Sequence, residues 1–118
     1  MTGEWRSPTT DDLLDAIAAL PDREATAVFM RDLCTLRELH DMAQRWKVVQ
    51  LLDQGRHYAE ISRETGASTA TITRIAQWLR HGTGGYRAAL DRGQGVAARE
   101  RGAPNAASVA PAASTADR

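Results

Sequence analysis

Gly66 stands between two helical patterns, and the offsets on either side of it leave few folds open. Residues 58–79 read YAEISRETGASTATITRIAQWL. Two short helices crossing at a steep angle need a glycine-bearing turn between them and apolar residues at fixed spacings on both sides. Before the glycine, Tyr58 and Ile61 point to one side; after it, Ile72, Ile75, Ala76 and Leu79 fall at i, i+3, i+4 and i+7 and form one stripe. At about 100° per residue, the other side of the second helix carries Ala70, Thr73, Arg74 and Gln77, with Ser68 and Thr69 at its start. Hydroxyls at a helix start suit phosphate oxygens, small methyl-bearing side chains suit the thymine methyl, and Arg or Gln makes paired hydrogen bonds to guanine or adenine. Ser68 and Thr69 are equally the residues that cap a helix with no ligand at all.

Beyond this geometry, GASTATITRIAQWL resembles the turn and recognition helix of the Trp repressor superfamily, whose hallmark is a Gly-Ala turn followed by Ala-Thr-Ile-Thr-Arg. Cys34-Thr35 before a long helix, Arg45 midway, Leu51-Leu52 near its end and Gly55 closing it are similar to the first core helix of that repressor. The run from residue 33 to 90, with AQRW, EISRETGASTATITR and HGTGGYRAAL, resembles the YerC/YecD-type relatives of the repressor over roughly half the chain. The resemblance implies an all-α, TrpR-like helix-turn-helix in an intertwined helical homodimer that binds double-stranded DNA.

The helices themselves are marked by capping residues, which satisfy the unpaired N–H groups of a first turn. Thr9 with Asp12 predicts a first helix carrying Leu13, Leu14, Ile17 and Leu20 and stopping at Pro21. Asp22 predicts a second, to about Leu33, with Ala25, Val28, Phe29 and Leu33 on its apolar side. Thr35 and Glu38 form a capping box for a long helix ending at Gly55, where a left-handed residue closes it. That helix is apolar on two sides: Leu39, Met42, Ala43, Trp46 and Val49 on one, Val48, Leu51 and Leu52 on the other. Gly82, Gly84 and Gly85 end the pattern of the recognition helix, and residues 86–90 predict a short terminal helix with Tyr86 and Leu90 packed inward. The expected division is a helical DNA-binding domain at 1–92, with its helix-turn-helix at 58–80, and a disordered Ala/Gly/Pro-rich tail at 93–118 that offers too little apolar surface to order itself.

A chain of 118 residues with 42% hydrophobic and only 5% aromatic residues is one small domain. Domains of this size bury a low fraction of their surface, and two-sided helices ask for outside cover. A homodimer supplies it, with Trp46 and Trp78 expected in its core; a compact monomer is the alternative. No apolar run reaches the roughly 20 residues that span a bilayer, no secretory signal is evident, and the single Cys34 reads as a small buried hydrophobe. The expected location is the cytoplasm. Net charge is zero, but residues 1–41 carry nine acidic and four basic side chains whereas residues 42–118 carry six and eleven. Local field, not the sum, governs attraction to phosphate.

The expected site therefore has Ser68, Thr69, Ala70, Thr73, Arg74 and Gln77 at base edges and Arg56, Arg63 and Arg80 at phosphates. In the repressor, arginines from the core and recognition helices clasp tryptophan, and the matching residues here are Arg45 and Arg74. Two small residues that make room for the indole correspond to Ile75 and Trp78, large side chains expected to fill a vestigial pocket and leave the head with no tryptophan corepressor. No enzyme, metal site or cofactor is expected: His40, His57 and His81 are scattered, and Asp11, Asp12 and Asp15 sit where a helix start favours acids. A rival reading of another class keeps the helix-turn-helix as a protein-protein interaction module without a DNA role.

Overall fold

A computed structural model describes residues 5–102. Six helices and no strand occur among them: α1 (Pro8–Ala18), α2 (Arg23–Leu33), α3 (Leu36–Asp53), α4 (Tyr58–Thr65), α5 (Thr69–His81) and α6 (Gly85–Gly102). The chain divides into two units, Met1–Ala76 and Gln77–Arg118.

Caps explain where the first helices begin. The start of α1 differs from the expected Thr9: Ser7 is the cap, its Oγ accepting from the Thr10 N–H at 3.1 Å while the Thr10 hydroxyl accepts from the Ser7 N–H at 2.7 Å. Pro8 at the first helical position loses nothing, since that N–H has no partner inside a helix. Asp22 caps α2 through the Ala25 N–H at 2.9 Å, and Arg31 in its last turn donates to the Cys34 carbonyl at 3.1 Å. Thr35 and Glu38 form the reciprocal box at the head of α3, at 3.1 and 2.8 Å. Gly55, with φ +81°, turns the chain after α3.

The core of the first unit draws its residues from α3, the turn before α5, and helices α4 and α5. Val48, Val49, Ile61 and Ile72 are fully buried, and Leu51, Ala67, Ile75 and Ala76 nearly so. Helix α3 packs against both α4 and α2. Its second half supplies the buried residues, while Leu39, Met42 and Trp46 of its first half are only partly covered. Neither α1 nor α2 has a buried residue. Between α1 and α3 lies a groove of about 390 Å³ lined by Leu13, Leu33, Cys34, Glu38, Asp41, Met42 and Arg45, so Cys34 is half-covered at a groove wall.

In the second unit, Leu90 of α6 is buried and Tyr86 half-buried. A Cβ at Gly82 would stand 2.5 Å from the Trp78 carbonyl oxygen and 2.7 Å from its ring, so glycine is what allows that ring to fold against the chain there. The expected short helix at 86–90 is corrected: α6 runs to Gly102, through residues assigned above to a disordered tail. Ala88, Ala89, Ala97, Ala98 and the arginines are strong helix formers, which favours one continuous helix although Gly93 and Gly95 each cost roughly 1 kcal/mol. Residues 103–118, the rest of that tail, lie outside the described residues.

Candidate nucleic-acid interface

The turn between α4 and α5 is built by three linked devices. Gly66 sits at φ +82°, a left-handed conformation that costs other residues strain, and its N–H closes α4 on the Ser62 carbonyl at 2.8 Å. Gln44 of α3 donates to the Thr65 carbonyl at 3.0 Å, pinning the end of α4 to the core helix. The Thr65 hydroxyl donates to the Ile61 carbonyl at 2.7 Å and accepts from the Ala67 N–H at 3.1 Å, carrying the chain round to buried Ala67. The bond from Gln44 to Thr65 has no signature in the sequence, because it joins residues 21 positions apart.

Ser68 caps α5, its Oγ accepting from the Thr71 N–H at 3.1 Å and donating to the Thr71 hydroxyl at 3.0 Å. Thr69, Ala70, Thr73 and Arg74 are exposed together on the outer face of α5, with Ile72, Ile75 and Ala76 beneath. Gln77 and Arg80 are also exposed, on the part of α5 that belongs to the second unit. Thr71, half-buried, was missed as a site residue: it accepts a hydrogen bond from Arg74 Nη2 at 3.4 Å. The signal was present in the three-residue spacing from Ser68 to Thr71 to Arg74, which stacks side chains on one helix face.

The arginines expected at phosphates divide. Arg63 is exposed on α4. Arg56 differs from expectation, because its guanidinium is already engaged: it donates to Glu60 at 3.3 Å and Glu64 at 2.8 Å. The hydrogen bonds it donates to these two carboxylates, Glu60 first, raise the Arg56 pKa above its ordinary value. Glu60 is held below the usual carboxylate range, chiefly by the His57 backbone N–H and next by Arg56. The Glu60 carboxylate thus closes the first turn of α4, and Arg56 secures it.

The residues matched to the ligand pocket are found in different settings. Arg45 lines the groove beside Leu13 and Met42, Arg74 is exposed on α5, and Ile75 is 5% exposed within the core. Trp78 departs from the filling role expected of it, since its side chain is 62% exposed. On a helix whose inner positions are already taken by Ile72, Ile75 and Ala76, residue 78 falls outward. Among the described residues no group of three or more His, Cys, Asp or Glu side chains is placed to hold a metal ion, and no helix is long and apolar enough to cross a membrane.

Comparison with known proteins gives the family and the fold. A family model described as Trp repressor protein matches residues 9–94. The uncharacterized protein YerC of Bacillus subtilis (strain 168) is 44% identical over 87 residues, which cover 74% of this chain and 84% of that one. A crystal structure of a candidate Trp repressor from Staphylococcus aureus superposes with a TM-score of 0.73 at 42% identity, covering 77% of this chain and 91% of the other. A TrpR-like protein from Eubacterium eligens ATCC 27750 gives 0.71 at 36% identity, with coverages of 74% and 90%.

Proposed function

The chain belongs to the Trp repressor family, and from that premise we propose that it is a sequence-specific, DNA-binding transcriptional repressor that works in the bacterial cytoplasm without tryptophan. The observation that carries this reading is the α4–Gly66–α5 unit, whose inner face is buried at Ile61, Ile72 and Ile75 while Thr69, Ala70, Thr73 and Arg74 stand exposed on the outer face. A helix held rigidly from beneath and lined outside with hydroxyls, a methyl and a guanidinium has the dimensions and the donors that a major groove accepts.

The repressor acts as a homodimer in this reading. Leu13, Leu14, Ile17, Val28, Leu33 and Leu36 are each at least 36% exposed in the single chain, and a second copy is the cover that the family fold offers them. Two reading heads would then meet half-sites about 34 Å apart on one side of the duplex. Independence from tryptophan is supported by Ile75, a large buried side chain at a position where the repressor has a small one.

Selection of bound fragments from genomic DNA by the purified protein, with and without tryptophan, tests the whole reading. The expected result is one recurring near-palindromic site, recovered equally in both conditions, whose affinity falls steeply with salt. Arg74→Ala should cost about 1–3 kcal/mol at the preferred site and blur one base position, whereas Arg63→Ala should weaken all sequences alike. A salt-insensitive association with a protein and no retention of any fragment at low salt would replace the repressor by an interaction module.

A further inference from the structure

We propose that Thr71 is a positioning residue: it holds the Arg74 guanidinium in the orientation that reads a base edge, and Ser68 anchors it in turn. This rests on the reading of α5 as a DNA-reading helix.

The chain of contacts is short and directional. Thr71 Oγ1 accepts from the Ser68 hydroxyl at 3.0 Å and from Arg74 Nη2 at 3.4 Å. Ser68 Oγ cannot swing away to release it, because the same oxygen accepts the Thr71 N–H at 3.1 Å and so caps α5. Thr71 is β-branched, which limits its hydroxyl to two main positions in a helix, and half-burial with the hydrogen bond from Ser68 selects the one that faces Arg74. Arginine has many rotamers of similar energy and reads guanine only when two of its N–H groups lie in the plane of the base. A hydrogen bond from Nη2 to Thr71, long at 3.4 Å, biases the guanidinium toward one of those rotamers and leaves four of the five N–H donors free. The consequence is specificity more than affinity: the brace favours the one geometry that discriminates bases, while a loose arginine still finds a phosphate.

The test starts from duplexes selected out of a random-sequence pool by the wild-type protein. Competition between the selected duplex and its single-base variants then measures discrimination for Thr71→Val, Thr71→Ser, Arg74→Ala and the double variant Thr71→Val/Arg74→Ala. We expect Thr71→Val to lower discrimination roughly two- to tenfold, at the one base position that Arg74→Ala blurs, with other positions and non-specific affinity unchanged. Thr71→Ser should keep the wild-type ratio, and the double variant should match Arg74→Ala alone. Should valine at 71 unfold α5, as thermal melting followed by circular dichroism would show, Thr71→Ala is read in its place. Unchanged discrimination in Thr71→Val, or a further loss in the double variant at that position, overturns the brace while leaving the DNA-reading helix intact. Recovery of no preferred sequence by the wild-type protein overturns the DNA-reading assignment itself, and the brace with it.

Discussion

Helices α1 and α2 and the α4–turn–α5 segment carry apolar stripes of similar quality, yet only the second is buried. Ile61 and Ile72 are fully enclosed, whereas Leu13 and Leu14 are 37% exposed, Val28 63% and Leu33 49%. Helices α1, α2 and α4 and the stretch of α5 up to Ala76 belong to the first unit, and α1, α2 and α5 each start at a side-chain cap. The difference is in what each has opposite it. Helix α4 packs against α3, and the apolar residues of α4, of the second half of α3 and of the inner side of α5 are all enclosed. Helices α1 and α2 have the edge of α3 and a groove. An amphipathic stripe is therefore a demand for a partner, and the partner need not lie in the same chain.

This contrast can be broken by substitution. Ile72→Ala should cost about 2–5 kcal/mol, since a fully enclosed side chain leaves a cavity when truncated; urea unfolding measures it, and a cost below about 1 kcal/mol would mean the α4–α5 core is not what holds this region. Leu33→Asp should leave that core folded but raise the dimer dissociation constant on the order of 100-fold, equivalent to about 2.7 kcal/mol, read by sedimentation equilibrium. An unchanged association would remove the second copy as the cover for α2. Gly66→Ala should cost about 1–2 kcal/mol. The nearest atom to an added methyl, Gln44 Nε2, is 3.8 Å away, so that cost is conformational and should appear in unfolding without any change in dimerisation. The smallest effect concerns pH. Folding depresses the Glu60 pKa, so its contribution is present above the ordinary glutamate range, about pH 4, and is lost as pH falls through the lower folded value. Glu60→Gln should lower helicity slightly at neutral pH and leave it unchanged at low pH, so that the acid limb of a helicity titration flattens; an acid limb as steep as in the wild type would remove Glu60 as its source.

Much of the fold was legible in the residues because its signals are local. Thr35 with Glu38, Asp22, Gly55 and Gly66 each act on neighbours three or four positions away, and all four stand where the sequence put them. The start of α1 was misplaced because Thr9 with Asp12 and Ser7 with Thr10 offer competing caps, and Pro8 favours the earlier one. For the candidate interface, the exposed face of α5 follows from its 3.6-residue period. Thr71 was passed over because a half-buried threonine reads as filler until its hydroxyl is seen against Arg74. Arg56 was assigned to phosphate because charge alone does not reveal that Glu60 and Glu64 already hold it.

By itself, then, the sequence determined six helical stretches in outline, the glycine turn of the helix-turn-helix and membership of the Trp repressor family, since propensity, capping and periodicity act over a few residues. Tertiary structure alone decided which stripes are buried, that Gln44 ties α3 to the end of α4, and that Trp78 stands exposed while Ile75 does not. Burial and long-range hydrogen bonds depend on what another segment brings into contact, and no run of neighbouring residues encodes that distance.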